Sequence, residues 1–438
     1  MFLASRGRVK MGVNASGSAK IAAFCAAAVL SMPLYAFGMD VTGRASESLF
    51  LQNDDASSQN YNFIRTKLKL DATDVSGVDN SLHFDGSYLS QGQYSYNGQI
   101  PTNRVDALNL RMDKLFLNTD VVLGRQMIDG LVGAKVDGAL LEIHTGESSG
   151  LGLFGGTLPD PYTDAFASSY PTYGAYGFYR ERTTGAALGY ATSMYNGKED
   201  QAYVFGSAYY SPSDAFNVNT TARLDNNQNG GSGFNVTNLL LSANYHWGWL
   251  AYMNLTYNQY RAVWYQQSMS MTYGLNLEMQ QSVRVYGDYS VTKSAKIYAD
   301  FDFRQRDSDS KSASLYVLGF KDNDLMGYLY YNAAYRNINY FTALSSQIYL
   351  LGGVQMSERA SGELSAAYGT NSQNGAGNDM TQMIYSAAAN WIATKALMFN
   401  LMVEMSDQKF ISVDSIYLAK YKDEYVSTSV YANLSYRF

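Results

Sequence analysis

The C-terminal stretch Val426-Ser427-Thr428-Ser429-Val430-Tyr431-Ala432-Asn433-Leu434-Ser435-Tyr436-Arg437-Phe438 alternates without a break. Val426, Thr428, Val430, Ala432, Leu434, Tyr436 and Phe438 share one face, and polar side chains dominate the other. Period two over this length is a strand between an apolar and a wet environment. The pattern returns at 214–225, where Phe216, Val218, Thr220, Ala222 and Leu224 oppose Asn217, Asn219, Thr221, Arg223 and Asp225. It returns again at 295–304, with Ile297, Ala299, Phe301 and Phe303 against Lys296, Tyr298, Asp300, Asp302 and Arg304. A soluble sandwich also alternates, so composition has to decide.

Charged residues are 16% of the 438, against ~25% in an average soluble protein. Gly and Tyr number 38 each and Pro only 6. A hydrophobic content of 46% excludes a disordered chain. Outside residues 21–34 no apolar run approaches the ~18–20 residues of a membrane helix, which excludes a helical membrane protein. A chain this aromatic, this uncharged and without spanning helices reads as all-β, a single closed antiparallel transmembrane β-barrel. No linker, charge block or low-complexity segment divides residues 39–438, so they read as one domain.

Arg6, Arg8, Lys10 and Lys20 precede the apolar stretch Ile21 to Leu34, and Ala36-Phe37-Gly38 follows with small residues at the cleavage positions. Residues 1–38 therefore read as a signal peptide cleaved after Gly38, with a short membrane anchor as the alternative. Without the leader's four basic residues, 28 Lys and Arg face 38 Asp and Glu, a formal charge of −10. Cys25 leaves with the leader, which excludes a disulfide, a cysteine-ligated metal and a covalent haem site. With only His83, His144 and His246 left, no metal or cofactor is expected.

The connections sort into two kinds. Short ones fall at 211–213, 292–294, 321–324 and 394–395. Long polar ones fall at 53–60, 91–103, 226–234, 305–311, 370–380 and 407–424. Residues 270–291 keep their apolar side chains on odd numbers, which favours one long strand over a two-residue hairpin that would switch the parity, while a three-residue turn would also keep it. The count is then about 22 strands, with 18 and 20 open, and the short connections belong on the periplasmic side.

The last strand, with Tyr436 and the terminal Phe438, resembles the C-terminal assembly signal of Gram-negative outer-membrane β-barrel proteins. That resemblance implies the bacterial outer membrane and its lipid as the setting, insertion by the barrel-assembly machinery, and both chain ends at the periplasmic rim. The stretches Leu123-Gly124-Arg125-Gln126, Val136-Asp137-Gly138-Ala139 and Gly152-Leu153-Phe154-Gly155-Gly156-Thr157-Leu158-Pro159-Asp160 resemble a porin-like family defined by architecture. This second resemblance implies a porin-like barrel and names no solute.

Function then belongs to the wet face. Ile64, Leu68 and Leu70 point one way, and Arg65, Lys67 and Lys69 form a basic ladder on the other. A charge facing hydrocarbon costs ~2–4 kcal/mol at the midplane, so the ladder must face water or protein. Arg104, Arg111, Arg125, Arg223, Arg284 and Arg304 are further inward candidates, opposed by Asp288, Asp300, Asp302, Glu363 and Glu404. Mixed signs in a closed sheet suit a pore with a transverse field, or charges that merely satisfy one another. Pro159, Pro161 and Pro171 stiffen a loop carrying Asp160 and Asp164 ahead of Arg180 and Arg182. That loop resembles the inward-folded constriction of general porins, and an external loop over the rim suits it equally. No catalytic constellation is evident. His83 with Asp85 and Ser87 on one face is what polar alternation produces by chance. The expected function is a channel for passive diffusion of small hydrophilic solutes or ions. The alternative is a sheath around a partner such as an exported multihaem cytochrome, with an adhesin or receptor behind it. No nucleic-acid partner is expected.

Overall fold

A computed structural model describes residues 40–54, 59–74, 80–92, 103–116, 118–128, 135–160, 163–226, 233–261, 279–307, 311–341, 343–373, 378–412 and 424–438. The leader expected over residues 1–38 lies outside them. Twenty-two strands follow one another. The first seven are β1 Asp40–Asp54, β2 Gln59–Thr73, β3 Asn80–Gly92, β4 Asn103–Phe116, β5 Thr119–Met127, β6 Lys135–His144 and β7 Ser149–Thr157. Next come β8 Pro171–Arg180, β9 Thr184–Tyr195, β10 Lys198–Ser213, β11 Phe216–Asn226, β12 Phe234–Trp247, β13 Ala251–Tyr260, β14 Gln280–Ser290 and β15 Ala295–Arg306. The sheet ends with β16 Ser312–Leu325, β17 Leu329–Tyr340, β18 Ala343–Ser357, β19 Ala360–Gln373, β20 Asn378–Ile392, β21 Leu397–Ser412 and β22 Glu424–Arg437. Each strand pairs antiparallel with its sequence neighbours, and β1 pairs with β22 over Arg44–Asp54, so the sheet is a closed barrel without edges.

Closure places both described chain ends at the rim that carries the tight turns 214–215, 248–250, 326–328 and 358–359. At the seam Gly43 and Phe438 exchange backbone hydrogen bonds of 2.9 and 3.2 Å, and the Phe438 ring lies over Gly43. Two short connections fall elsewhere than expected. β16 runs through 321–324 to Leu325, and its turn is 326–328, where Met326 and Gly327 take left-handed φ of 61° and 84°. β10 runs through 211–213 to Ser213, because a bulge between Tyr210 and Ser213 accommodates Pro212, which has no amide to donate. The expected strand over 270–291 is β14 from Gln280 to Ser290, with residues 270–278 outside the described ones.

The outer face is apolar, as a bilayer requires. Leu188, Ile297, Leu318, Ile348, Leu350 and Leu364 stand exposed there, in step with inward polar residues. Aromatics gather toward both rims: Trp247, Trp249, Tyr289, Tyr328, Trp391 and Tyr436 beside the short turns, and Tyr173, Phe234, Tyr316 and Tyr368 toward the other end.

The wall from β5 to β10 departs from the alternation. Leu123, Leu141, Leu151, Leu153 and Leu188 are exposed on one face, while Val122, Leu140, Phe154, Tyr176, Phe178, Tyr203 and Phe205 form a buried cluster on the other. Strands apolar on both faces read as continuous runs, such as Val121-Val122-Leu123 and Leu140-Leu141. On β5 to β7, Gly124, Gly138 and Gly156 stand side by side in register, and the neighbouring backbones approach closely there. A Cβ on Gly138 would occupy the space of the Gly155 carbonyl oxygen and the Gly156 Cα. Gly138→Val should therefore abolish assembly, read as loss of the compact, heat-modifiable band on unheated gels. An undiminished band would show that the strands can separate there.

Candidate functional site

The ladder expected on β2 lies in the lumen and is wider than the sequence suggested. Arg44, Ser46 and Ser48 of β1 stand directly beside Lys69, Lys67 and Arg65 of β2, and on the other side Ser46 and Ser48 face Ser435 and Asn433 of β22. A recess of about 490 Å³ opens over these cations, lined also by Phe63, Tyr431 and by Asp85 of β3, which stands opposite Lys69 in register. Successive cations along β2 are ~6–7 Å apart. Among the described residues no carboxylate comes within ion-pair distance of Arg44, Arg65, Lys67 or Lys69. The Nε of Arg44 donates instead to the Ser435 hydroxyl at 2.7 Å. Asp71, which could have balanced the ladder, contacts His83 Nδ1 at 2.5 Å. His83 thus faces Asp71 across the strand pair and not Asp85 or Ser87. Four neighbouring cations with so little compensation are tolerable only where water or a mobile anion screens them.

The other inward candidates are mostly neutralised in place. Arg223 pairs with Asp225 at 2.7 Å and lies 3.7 Å over the Tyr203 ring. Arg284 pairs with Asp300 at 2.6 Å, Arg304 with Asp302 at 2.7 Å, and Asp288 with Lys296 at 2.8 Å. Arg111 reaches Asp113 at 2.6 Å and Asp120 at 2.9 Å. Glu363 accepts a hydrogen bond of 2.7 Å from the Tyr330 hydroxyl. Glu404 faces the lumen between Ser386 and Ser429. Mutual satisfaction therefore describes much of the wall, and the β1–β2 ladder departs from it as a cluster of four; among the described residues Lys321 of β16 and Arg336 of β17 also stand without a carboxylate at ion-pair distance, each apart from other unpaired cations. Arg44 was missed, although it alternates with Ser46 and Ser48 in the sequence. Asp120, Asp225 and Lys296, which complete three of the pairs, were missed as candidates too.

The proposed constriction residues do not come together. Asp160 and Asp164 lie in the β7–β8 loop, whereas Arg180 ends β8 and Arg182 sits in the turn beyond it. Asp164 meets Lys135 at one end of β6 and Arg180 meets Glu142 seven residues further on, so the two groups are ~23 Å apart along the wall. Arg180 pairs with Glu142 at 2.8 Å, and Glu142 also accepts from the Tyr176 hydroxyl at 2.7 Å. Asp160 accepts from the Thr163 amide at 2.8 Å and shapes its own loop. Asp164 is the anchor. Its carboxylate meets Lys135 at 2.9 Å and Arg104 at 3.2 Å, and its carbonyl accepts from Arg125 at 2.8 Å. Arg125 in turn grips Asp137 through two bonds of 2.5 and 2.6 Å. Arg104 and Arg125, expected as inward pore-lining candidates, tie this loop to the ends of β4 to β6, because each finds a carboxylate on an adjoining element.

No family model matches the sequence, and no curated protein matches it. Solved structures with a similar course include OccK11 (OpdR) of Pseudomonas aeruginosa, at TM-score 0.43 and 10% identity, covering 91% of this chain and 96% of that one. OccAB2 of Acinetobacter baumannii gives 0.44 and 10%, covering 91% and 98%. The outer membrane protein opdK of Pseudomonas aeruginosa gives 0.41 and 8%, covering 91% and 99%. At these values the likeness stands beside the geometry and adds nothing to it. The porin-like character of the chain rests on its own features, a closed barrel of 22 strands with an apolar exterior and a charged interior.

Proposed function

We propose that the barrel is an outer-membrane channel for passive diffusion of small hydrophilic solutes and that it favours anions. The observation that carries this reading is the β1–β2 wall, where Arg44, Arg65, Lys67 and Lys69 face the lumen without carboxylate partners among the described residues. Cations held for stability alone would be paired, as the charges of β14 and β15 are. Unpaired and concentrated on one wall, they raise the local concentration of mobile anions whatever the overall charge. The purified barrel in planar bilayers should conduct, and in a KCl gradient its reversal potential should take the sign of chloride preference at 0.1 M salt. Cation preference, or a barrel that passes no ions, would overturn the reading and favour the sheath.

The same reading places the chain in the hands of the barrel-assembly machinery, with Tyr436 and Phe438 as its signal and residues 1–38 as an export leader. Their rings stack at 5.9 Å on the outer face of the seam, so they are presented outward where a receptor could read them. Deleting Phe438 should leave export intact and cut the outer-membrane level several-fold. Undiminished insertion of the truncated chain would remove this role.

A further inference from the structure

The wet face of β12 to β15 carries a feature that ion selectivity does not use. His246, Tyr252, Tyr286 and Tyr298 come from four successive strands and all point into the lumen. His246 and Tyr252 lie with ring centroids 4.6 Å apart, Tyr252 and Tyr286 5.9 Å, and Tyr286 and Tyr298 6.3 Å. In an aqueous pore a continuous run of rings leaves apolar area in water that serines or threonines would not.

Each tyrosine is fixed by its hydroxyl. Tyr252 donates to Asn244 at 2.6 Å, Tyr286 to Asp288 at 3.2 Å, and Tyr298 to Asn332 at 2.9 Å. With their hydroxyl protons engaged on the wall, the tyrosines offer the solute ring surface and an acceptor oxygen but no donor. Beneath Tyr298 is Gly319, where any Cβ would meet the ring, so the ring lies flat on the sheet. The three tyrosines are half-buried.

The surroundings select the ligand. Tyr252 and Tyr298 flank Asp288 in register from either side. Asn244 also accepts from Asn254 at 2.7 Å and donates to Asn217 at 2.8 Å, a network of planar amides that retains donors and acceptors for a visitor. The carboxylates of this sector are paired, Arg284 with Asp300, Lys296 with Asp288 and Arg304 with Asp302, and the Lys321 ammonium of β16 lies 5.5 Å over the Tyr298 ring. Flat rings, amides and ions that are mostly paired suit a molecule that has an apolar C–H face edged by hydroxyls. That molecule is a pyranose. Its axial hydrogens pack on the negative face of an aromatic ring, and its hydroxyls bond the amides and carboxylates alongside.

We propose that His246, Tyr252, Tyr286 and Tyr298 form a lumenal track for neutral saccharides, separate from the basic wall of β1 and β2. The proposal rests on the reading of the barrel as an open pore, and its test separates the two. In planar bilayers, maltohexaose should reduce the ion current of the full barrel along a saturating curve. Polyethylene glycol of equal hydrodynamic size should reduce it without saturation. Losing one ring contact raises the half-saturating concentration by about three- to tenfold, so Tyr286→Ala should show that shift and Tyr286→Phe almost none. Heat-modifiability of each variant confirms that it is folded. A linear fall identical to that with polyethylene glycol would overturn the track, as would saturation unchanged in Tyr252→Ala/Tyr286→Ala. Should the barrel not conduct, the pore reading fails by itself. Calorimetric titration of maltohexaose into the detergent-solubilised barrel and into the double variant then decides the track, equal or absent heats refuting it.

Discussion

Exchanging Arg65, Lys67 and Lys69 for glutamine should move the reversal potential in a 0.1 M KCl gradient toward cation preference while leaving the barrel folded. An ammonium or guanidinium attracts a monovalent anion ~7 Å away by about 0.6 kcal/mol in water, and by about half that with 0.1 M salt between them. Three such cations acting on one recess give roughly 1 kcal/mol, about a fivefold change in local anion concentration. Adding Arg44→Gln should extend the shift, since Arg44 stands beside Lys69 in register. The Debye length shrinks from ~10 Å at 0.1 M to ~3 Å at 1 M, so the difference between variant and parent should nearly vanish at high salt. A purely structural role predicts the reverse pattern, with heat resistance lost and selectivity little changed. Measuring reversal potential at both salt concentrations and heat-modifiability on the same preparations separates the two roles.

The ladder was legible because a strand apolar on its even positions leaves no choice for its odd ones. Ile64, Leu68 and Leu70 place Arg65, Lys67 and Lys69 in the lumen before any partner strand is known. The count of about 22 strands, with 18 and 20 left open, came from the alternation of short and long connections, with parity deciding only residues 270–291. What the sequence could not show is register. Arg223 and Asp225 are two apart on one strand, so their pairing needs no knowledge of the neighbours, and that pair could have been read. Arg125 meets Asp137 directly across the strand pair, and Arg284, which stands opposite Asp302, reaches diagonally to Asp300, so both pairings are decided by register. Both arginines could therefore be read only as inward candidates, with their partners undecided. The aromatic track was hidden for the same reason, since its rings lie far apart in sequence and meet only across strands. The β5–β10 wall misled in another way. Alternation is the signal of a barrel, and a wall that packs side chains on both faces loses that signal where the interior has a core of its own.

That wall also bears the second large effect. The side chains of Arg125 and Asp137 are each only 10% exposed, and Arg125 further donates to the carbonyls of Val105 and Asp164 at 2.9 and 2.8 Å. One guanidinium thus joins β4, β5, β6 and the β7–β8 loop. Arg125→Met strands the Asp137 carboxylate where water scarcely reaches and leaves two carbonyls without their donor. Breaking a buried pair from one side costs about 3–5 kcal/mol, far more than the pair contributes against an apolar replacement of similar shape. Arg125→Met should therefore unfold at markedly lower temperature on heat-modifiability gels, and protease should cut the released loop between Leu158 and Tyr170. Arg125→Met/Asp137→Leu, which removes both charges, should recover a large part of the lost heat resistance. The loop should remain protease-sensitive in that double variant, because Asp164 keeps Lys135 and Arg104 but loses the donor to its carbonyl. Equal heat resistance in the parent and Arg125→Met would mean that water reaches the pair freely, and the loop would then be held by Lys135 and Arg104 alone.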